Sequence, residues 1–409
     1  MSATKARLTA RLSRELGDHS RPLFTLLRWL RPVIATRRFC VVTRADDVCE
    51  VLADFAHFGV PAYNEKMTAI SGPFILGLDD TPLYRHDHQA LRRAIRREDA
   101  DGLAQRTLST ARDRLQMTAG QIDVVGQFAD PTIDAVMSDY FGTQGPGTAT
   151  QLRWARDIFT DVFLNVAATP GAHDRALAAA AEMRPHLDAQ IAARRARLDA
   201  GHTVPDDVLT RLLQHSSADG GLHDIAIRHN LIGLIAGWIP TASKAFACAM
   251  DELLRRPKEL GRAQAAARAG DHATVGTYVF EALRFQPQTW ALLRTCVVDQ
   301  TVAAGTRRAT CLRAGTQVLV ATQSAMFDGR TLRAPGTFRT DRPFGSYLHF
   351  GHGLHMCFGL EINRLQLPAM AVALLEGPPL RRAPGAAGQM TYDGQYPASL
   401  TVTLDGTSP

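Results

Sequence analysis

The sequence predicts a mainly α protein with a small β region. Apolar residues recur at helical spacing over most of 85–286 and again over 358–376. Strand-like texture is confined to short runs around 33–60, 290–345 and 390–405. No internal repeat or low-complexity linker divides the 409 residues, so a single domain over 1–409 is expected, although length alone would split the chain in two or three.

The elements follow in order. Residues 23–30 are interrupted by Arg28 and bounded by Arg21 and Arg31, which reads as a short amphipathic helix rather than a membrane segment. Residues 39–43 (FCVVT) form a short β-rich run; Asp46 and Asp47 then open a helix with Val48, Val51 and Leu52 on one face. The stretch 59–82, rich in Gly and Pro, reads as a long loop. Helical spacing returns over 85–115, 130–142, 149–165 and 173–200, the last punctuated by Gly201 and Pro205. A longer helix is expected over 224–256, interrupted by Pro240, followed by 259–268 and 273–286. After Pro287 short strands are expected at Val297-Val298, Thr301-Val302, 317–320 and 399–404.

Composition excludes several classes. An apolar fraction of 45% with 21% charged residues is that of an ordinary globular protein. No run of about 18 uncharged apolar residues occurs, so no membrane span is expected. The first twenty residues mix Lys5, Arg7, Arg11, Arg14 and Glu15 with small polar ones, so no secretory leader is expected. The six cysteines show no CxxC pair and read as free thiols in a reducing, cytoplasmic compartment. Net charge is +6, almost all of the basic residues being arginine, and no basic run interleaves with aromatics, so nucleic acid is not expected as a partner. A monomer is the expectation.

Chemistry concentrates in Phe350-Gly351-His352-Gly353-Leu354-His355-Met356-Cys357-Phe358-Gly359. A cysteine here follows a glycine-punctuated loop and precedes a helix-forming run over 360–375. Glycines let backbone approach the sulfur, and helix-N-terminal amides favour negative charge on it. A zinc site from His349, His352, His355 and Cys357 fits no usual Cys/His spacing.

The spacing Phe-x-x-Gly-x-His-x-Cys-x-Gly resembles the haem-binding signature of the cytochrome P-450 family, and the resemblance extends over nearly the whole chain. It implies the cytochrome P-450 fold and haem b with Cys357 as axial thiolate ligand, set in a loop with Phe350, Gly351 and Gly359. It also implies that Glu281 and Arg284, 76 residues before the cysteine in the case of the acid, are a buried structural pair. Arg294, His355, and the helical pair His88 and Arg92 are implied partners of the haem propionates. The run before His88 is longer than the family's usual form, so His86 competes with it. Pro335-Gly336-Thr337-Phe338 followed by Arg342 matches the loop before the cysteine, but Thr337 stands where Arg or His is common; either Arg339 substitutes or the network with Glu281 and Arg284 is weaker here.

One departure bears on mechanism. Most relatives carry (Ala/Gly)-Gly-x-(Asp/Glu)-Thr on the central helix, where acid and alcohol help deliver protons. This chain reads Ala236-Gly237-Trp238-Ile239-Pro240-Thr241. Ala236, Gly237, Pro240 and Thr241 are the candidate distal residues; shifting the alignment by one puts Thr241 in the alcohol slot and still finds no carboxylate. The resemblance implies a monooxygenase acting on a lipophilic small molecule, with a separate ferredoxin and ferredoxin reductase. The distal walls expected are 60–82, 288–292 and the Ala236 to Thr241 segment. The missing acid raises a second reading, peroxide-driven oxygenation or hydroperoxide isomerisation or dehydration. A non-catalytic haem sensor or docking module is the reading from another class.

Overall fold

The computed structural model describes residues 20–118, 120–166, 169–215 and 220–404. Helix α1 (Ser20–Leu30) leads into a hairpin of β1 (Val33–Ala35) and β2 (Phe39–Val42). Helix α2 (Ala45–Ala53) buries Val48, Val51 and Leu52, the face its spacing predicts. Two-residue strand β3 (Phe58–Gly59) follows. The expected loop after it contains a helix, α3 (Pro61–Ile70). Pro61 occupies its first turn, where the missing N–H costs nothing, and Tyr63, Met67 and Ile70 recur at helical spacing toward the core. The glycines and prolines of 59–82 favour a loop, and a stripe of only three residues marks the helix.

The helix expected over 85–115 is two: α4 (Pro82–Ala94) and α5 (Asp99–Gln116). Ile95 is extended and fully packed, so the chain turns while keeping its apolar residue inside. After strand β4 (Gln121–Asp123) come α6 (Asp130–Phe141), α7 (Thr148–Phe159), α8 (Pro170–Asp199) and α9 (Val208–His215). The long helix, α10 (Asp224–Leu254), runs unbroken through Pro240. Proline removes one donor there, and the Thr241 hydroxyl donates back to the Gly237 carbonyl at 2.6 Å and the Trp238 carbonyl at 3.1 Å. By length and apolarity α10 matches a membrane span, yet 83% of its apolar window is buried inside the fold; it is the central core helix. It packs against α6, α7, α8 and the later α12 (His272–Phe285), which follows α11 (Pro257–Arg268).

The β region is β5 (Leu292–Cys296), β6 (Gln300–Val302), β7 (Thr310–Leu312) and β8 (Gln317–Val320). They build a sheet of order β1-β2-β8-β5-β3, with only β2 and β8 parallel, and a separate β6–β7 pair. Val297 and Val298, expected as strand, are exposed at the turn after β5. Their β-branched character favours a strand, but the ladder ends where β5 stops pairing with β3 and β8. Helix α13 (Thr322–Ala325) precedes the cysteine loop, and α14 (Leu360–Leu375) follows it and packs along α5. Four short strands, β9 (Arg381–Arg382), β10 (Thr391–Asp393), β11 (Tyr396–Ser399) and β12 (Thr401–Thr403), close the chain. One large apolar core fills the helical body, and a smaller cluster (Val42, Val48, Phe58, Val302, Val318, Val320) lies beneath the five-stranded sheet.

Candidate active site

A cavity of about 220 Å³ lies between α10, α3, the α12–β5 connection and the loop before α14. Its upper walls are apolar: Phe74, Leu76, Phe163, Leu234, Ala242 and Ala245 among them. Cys357 lines its floor.

The loop that carries Cys357 is fixed by backbone. Gly353 has φ +72°, and a Cβ on it would meet the Leu52 carbonyl oxygen at 2.3 Å, so only glycine lets the loop dock on the end of α2. The Cys357 N–H donates to the Phe350 carbonyl at 2.7 Å, closing the loop, and Leu360 N–H donates to the Cys357 carbonyl at 3.2 Å as α14 begins. Burial pushes the Cys357 thiol up; the Gly359 N–H and the Arg92 guanidinium act in the opposite direction, toward thiolate.

Behind the loop sits the Glu281–Arg284 pair, with both side chains fully buried. Arg284 donates to both Glu281 oxygens at 2.7 and 3.0 Å and to the carbonyls of Met326, Pro335 and Thr337. Glu281 also accepts from the Tyr347 hydroxyl at 3.0 Å and the Arg339 backbone N–H at 2.9 Å. The side chain that replaces the usual Arg or His is Arg342, whose Nε lies 3.3 Å from Glu281. Arg339 turns its guanidinium to Asp341 instead. Thr337 contributes only its carbonyl, shared by Arg284 and Arg342.

Arg294 and His355 also line the cavity. Arg294 is 4% exposed, makes no ion pair among the described residues, and donates only to the Leu293 carbonyl at 2.8 Å. Burial pulls its guanidinium down. Both ring nitrogens of His355 are buried without a partner, and burial, reinforced by Arg294, holds the imidazole down to about 3. Phe350, Gly351 and Gly359 are on the wall as well. His88 and Arg92 are not brought to the cavity: Phe358 intervenes, with the His88 ring 5.4 Å from its centroid and the Arg92 guanidinium 4.0 Å above it. The two histidines of α4 separate clearly, because His86 turns to the Gly220 carbonyl and Asp87 while His88 stacks between Tyr84 and Phe358.

On α10 the structure selects the shifted register. Gly233, Gly237 and Thr241 face the cavity, one turn apart, together with Leu234, Trp238, Ala242 and Ala245. Ala236 and Pro240, expected there, sit one residue off this face and do not line the cavity. A Cβ on Gly237 would meet no atom within 4 Å, so that face of the helix is open. Trp238 was overlooked in the sequence. Its ring packs so closely on Gly359 that a Cβ there would lie 2.8 Å away, and its Nε1 donates to Gln366 at 3.3 Å. Phe159 and Phe163, also overlooked, enter from the end of α7 and the turn that follows; no local pattern marks them. Tyr63, Gln288, Thr289, Ala291 and Leu292 come from the expected walls. Among the described residues no three His, Cys, Asp or Glu side chains converge as a metal site, and His349 is occupied with the Phe280 carbonyl at 2.9 Å.

The family profile described as Cytochrome P-450 matches residues 33–377. The chain belongs to the cytochrome P-450 family. Among curated relatives, a steroid C26-monooxygenase of Mycolicibacterium smegmatis is 28% identical over 269 residues, 65% of this chain and 62% of that protein. The chain spans less than two thirds of the length of the steroid C26-monooxygenases it matches. A linoleate diol synthase of Gaeumannomyces graminis is 38% identical over 98 residues, 24% of this chain and 8% of that protein. The crystal structure of CYP109E1 from Bacillus megaterium in complex with testosterone superimposes with a TM-score of 0.81 at 20% identity, covering 96% of this chain and 99% of that one, a likeness of fold.

Membership of the cytochrome P-450 family implies haem with a cysteine thiolate ligand. The residues present fit that group. Cys357 and the open Gly237 line the same cavity, as do the buried Arg294 guanidinium, without an ion pair among the described residues, and the unpartnered His355 ring nitrogens, donors of the kind that carboxylate-bearing propionates require.

Proposed function

We propose that this cytochrome P-450 is a monooxygenase that inserts oxygen into a neutral, lipophilic small molecule, receiving electrons from a separate ferredoxin and its reductase. The observation that carries this reading is the Cys357 thiol in the wall of a mostly apolar cavity that the open Gly237 of α10 also lines. Haem bound there supplies the redox chemistry that activates oxygen. Cys357 would hold the group as its thiolate, against the burial that otherwise favours the thiol. Arg294 and His355 would bind its carboxylates, while His88 and Arg92 pack behind Phe358. Trp238, wedged on Gly359, keeps the cysteine loop at a fixed distance from α10.

The upper walls orient the substrate by shape and exclude water. No Asp or Glu stands among the described wall residues, which favours an uncharged substrate and leaves the Thr241 hydroxyl as the helix's own proton-handling group. That hydroxyl donates to Gly237, so passing a proton onward requires it to turn away from that carbonyl or to act through water.

A second reading, oxygen transfer from a peroxide or rearrangement of a hydroperoxide, is favoured by that missing carboxylate and by the local match to the linoleate diol synthase. Oxidants already at the peroxide level need less proton delivery. Spin-state titration of the ferric protein with a panel of neutral lipophilic compounds identifies ligands. Turnover of those ligands with reduced ferredoxin plus O2, compared with hydroperoxide alone, then decides. Product only with the electron-fed system supports the monooxygenase; product only with hydroperoxide overturns it in favour of the second reading.

A further inference from the structure

Helix α1 carries apolar residues on its outer face and arginine against the protein. Its arginines face the protein: Arg28 is 6% exposed and donates to the Ser324 carbonyl at 3.0 Å, the Ser324 hydroxyl at 2.8 Å and the Thr25 hydroxyl at 2.9 Å. Arg21 lies 4.6 Å over the Phe327 ring. Phe24 is buried against Trp290, their ring centroids 5.7 Å apart, but the other face is apolar too: Trp29 is 73% exposed, Leu30 56%, Leu26 52% and Leu23 45%. At helical spacing these four fall within one arc of about 120°, a continuous apolar stripe along the outer face. A helix that presents a contiguous stripe of leucine and tryptophan to water is shaped for something that covers it.

Charge gives a second, independent observation. Residues 1–44 contain ten Lys or Arg and two Asp or Glu; the other 365 residues contain 36 and 38. The whole positive excess of the chain therefore belongs to the stretch that includes α1. Arg31 directly follows the stripe, and Arg37 and Arg38 form the exposed turn of the β1–β2 hairpin.

We propose that this face docks peripherally on an anionic lipid bilayer, with Leu23, Leu26, Trp29 and Leu30 entering the boundary of the acyl chains and the surrounding arginines binding lipid phosphates. Outward leucine and tryptophan combined with flanking arginine is the composition of interfacial helices. Anionic headgroups attract each basic residue near the surface. A second copy of the chain on the same face would bring like-charged arginines together, which disfavours self-association as the cover. An acidic protein surface would satisfy the arginines and leave the apolar stripe without a counterpart.

The test is flotation of the haem-loaded full chain with vesicles of mixed phosphatidylglycerol and phosphatidylcholine, against vesicles of phosphatidylcholine alone. The expected result is binding to the mixed vesicles that weakens with salt. Leu26→Ser/Trp29→Ser/Leu30→Ser lowers the partition coefficient at least about tenfold through lost apolar insertion. Arg37→Gln/Arg38→Gln lowers it by about tenfold or more through lost phosphate attraction. Both variants keep the wild-type absorption spectrum and unfolding midpoint, since every altered residue is exposed. No binding to the mixed vesicles, equal binding to neutral ones, or binding unchanged in the triple variant overturns the proposal. So does a wild-type dimer in sedimentation that the triple variant abolishes.

Discussion

Replacing Glu281 with alanine tests how the cysteine loop is held. Glu281 and Arg284 are both fully buried, and Glu281 also receives Tyr347, the Arg339 N–H and Arg342. Removing one partner of a buried ion pair costs about 3–5 kcal/mol, because the other charge stays buried and uncompensated. The Arg339 N–H and the Tyr347 hydroxyl each lose an acceptor, adding about 1 kcal/mol apiece. The sum, about 5–7 kcal/mol, is comparable with the entire stability of a typical domain, about 5–15 kcal/mol. Glu281→Ala is therefore expected to fold poorly and carry little haem. Glu281→Gln keeps the shape and one acceptor oxygen and is expected to lose about half as much. Urea unfolding followed by circular dichroism, with haem content measured on the same samples, reads both effects. A Glu281→Ala protein that unfolds within about 1 kcal/mol of wild type, with full haem, refutes the network argument.

Other expectations follow from the same geometry. Gly359→Ala drives a Cβ to 2.8 Å from the Trp238 ring and 2.9 Å from Asn363 Nδ2; overpacking of about 1–3 kcal/mol and lower haem occupancy are expected in unfolding and absorbance titrations. Thr241→Val removes the only hydroxyl on the open face of α10, so O2-driven product formation per electron consumed falls by about tenfold or more, while hydroperoxide-driven turnover stays within about twofold. Burial holds the His349 imidazole down from 6.5 to about 4. The folded state then binds fewer protons than the unfolded chain between those values, so its contribution is complete above pH 6.5 and declines as pH falls toward 4. The loss is up to about 3 kcal/mol, and His349→Gln flattens this part of the stability profile measured by urea unfolding.

What the sequence disclosed depended on how local each signal was. The cysteine loop was legible because its glycines, histidine and thiol are contiguous and its hydrogen bonds run between residues 350 and 360. The Glu281–Arg284 pair was legible as a pair, but the identity of its third partner was not. Arg339 and Arg342 are near neighbours in sequence, and only the path of the loop decides which guanidinium turns inward. On α10 the motif placed the site within one residue. Rotation of the helix, fixed by packing on α6 and α12, decides that Gly237 and Thr241 rather than Ala236 and Pro240 face the cavity. Helix α3 was missed because its apolar stripe is only three residues long. Phe159 and Phe163 were missed because nothing in a window around them records the distant walls they meet. His88 and Arg92 are adjacent on α4 as their spacing requires, yet Phe358, 266 residues beyond Arg92, comes between them and the cavity.

The central claim is that Cys357 sulfur is bonded to haem iron, and the absorption spectrum of the ferrous carbon monoxide adduct tests it most directly. The account predicts the strongly red-displaced Soret band that thiolate coordination produces, lost in a folded Cys357→Ser variant. A Soret band at the ordinary position in correctly folded, haem-loaded wild type, or a displaced band that persists in Cys357→Ser, contradicts it.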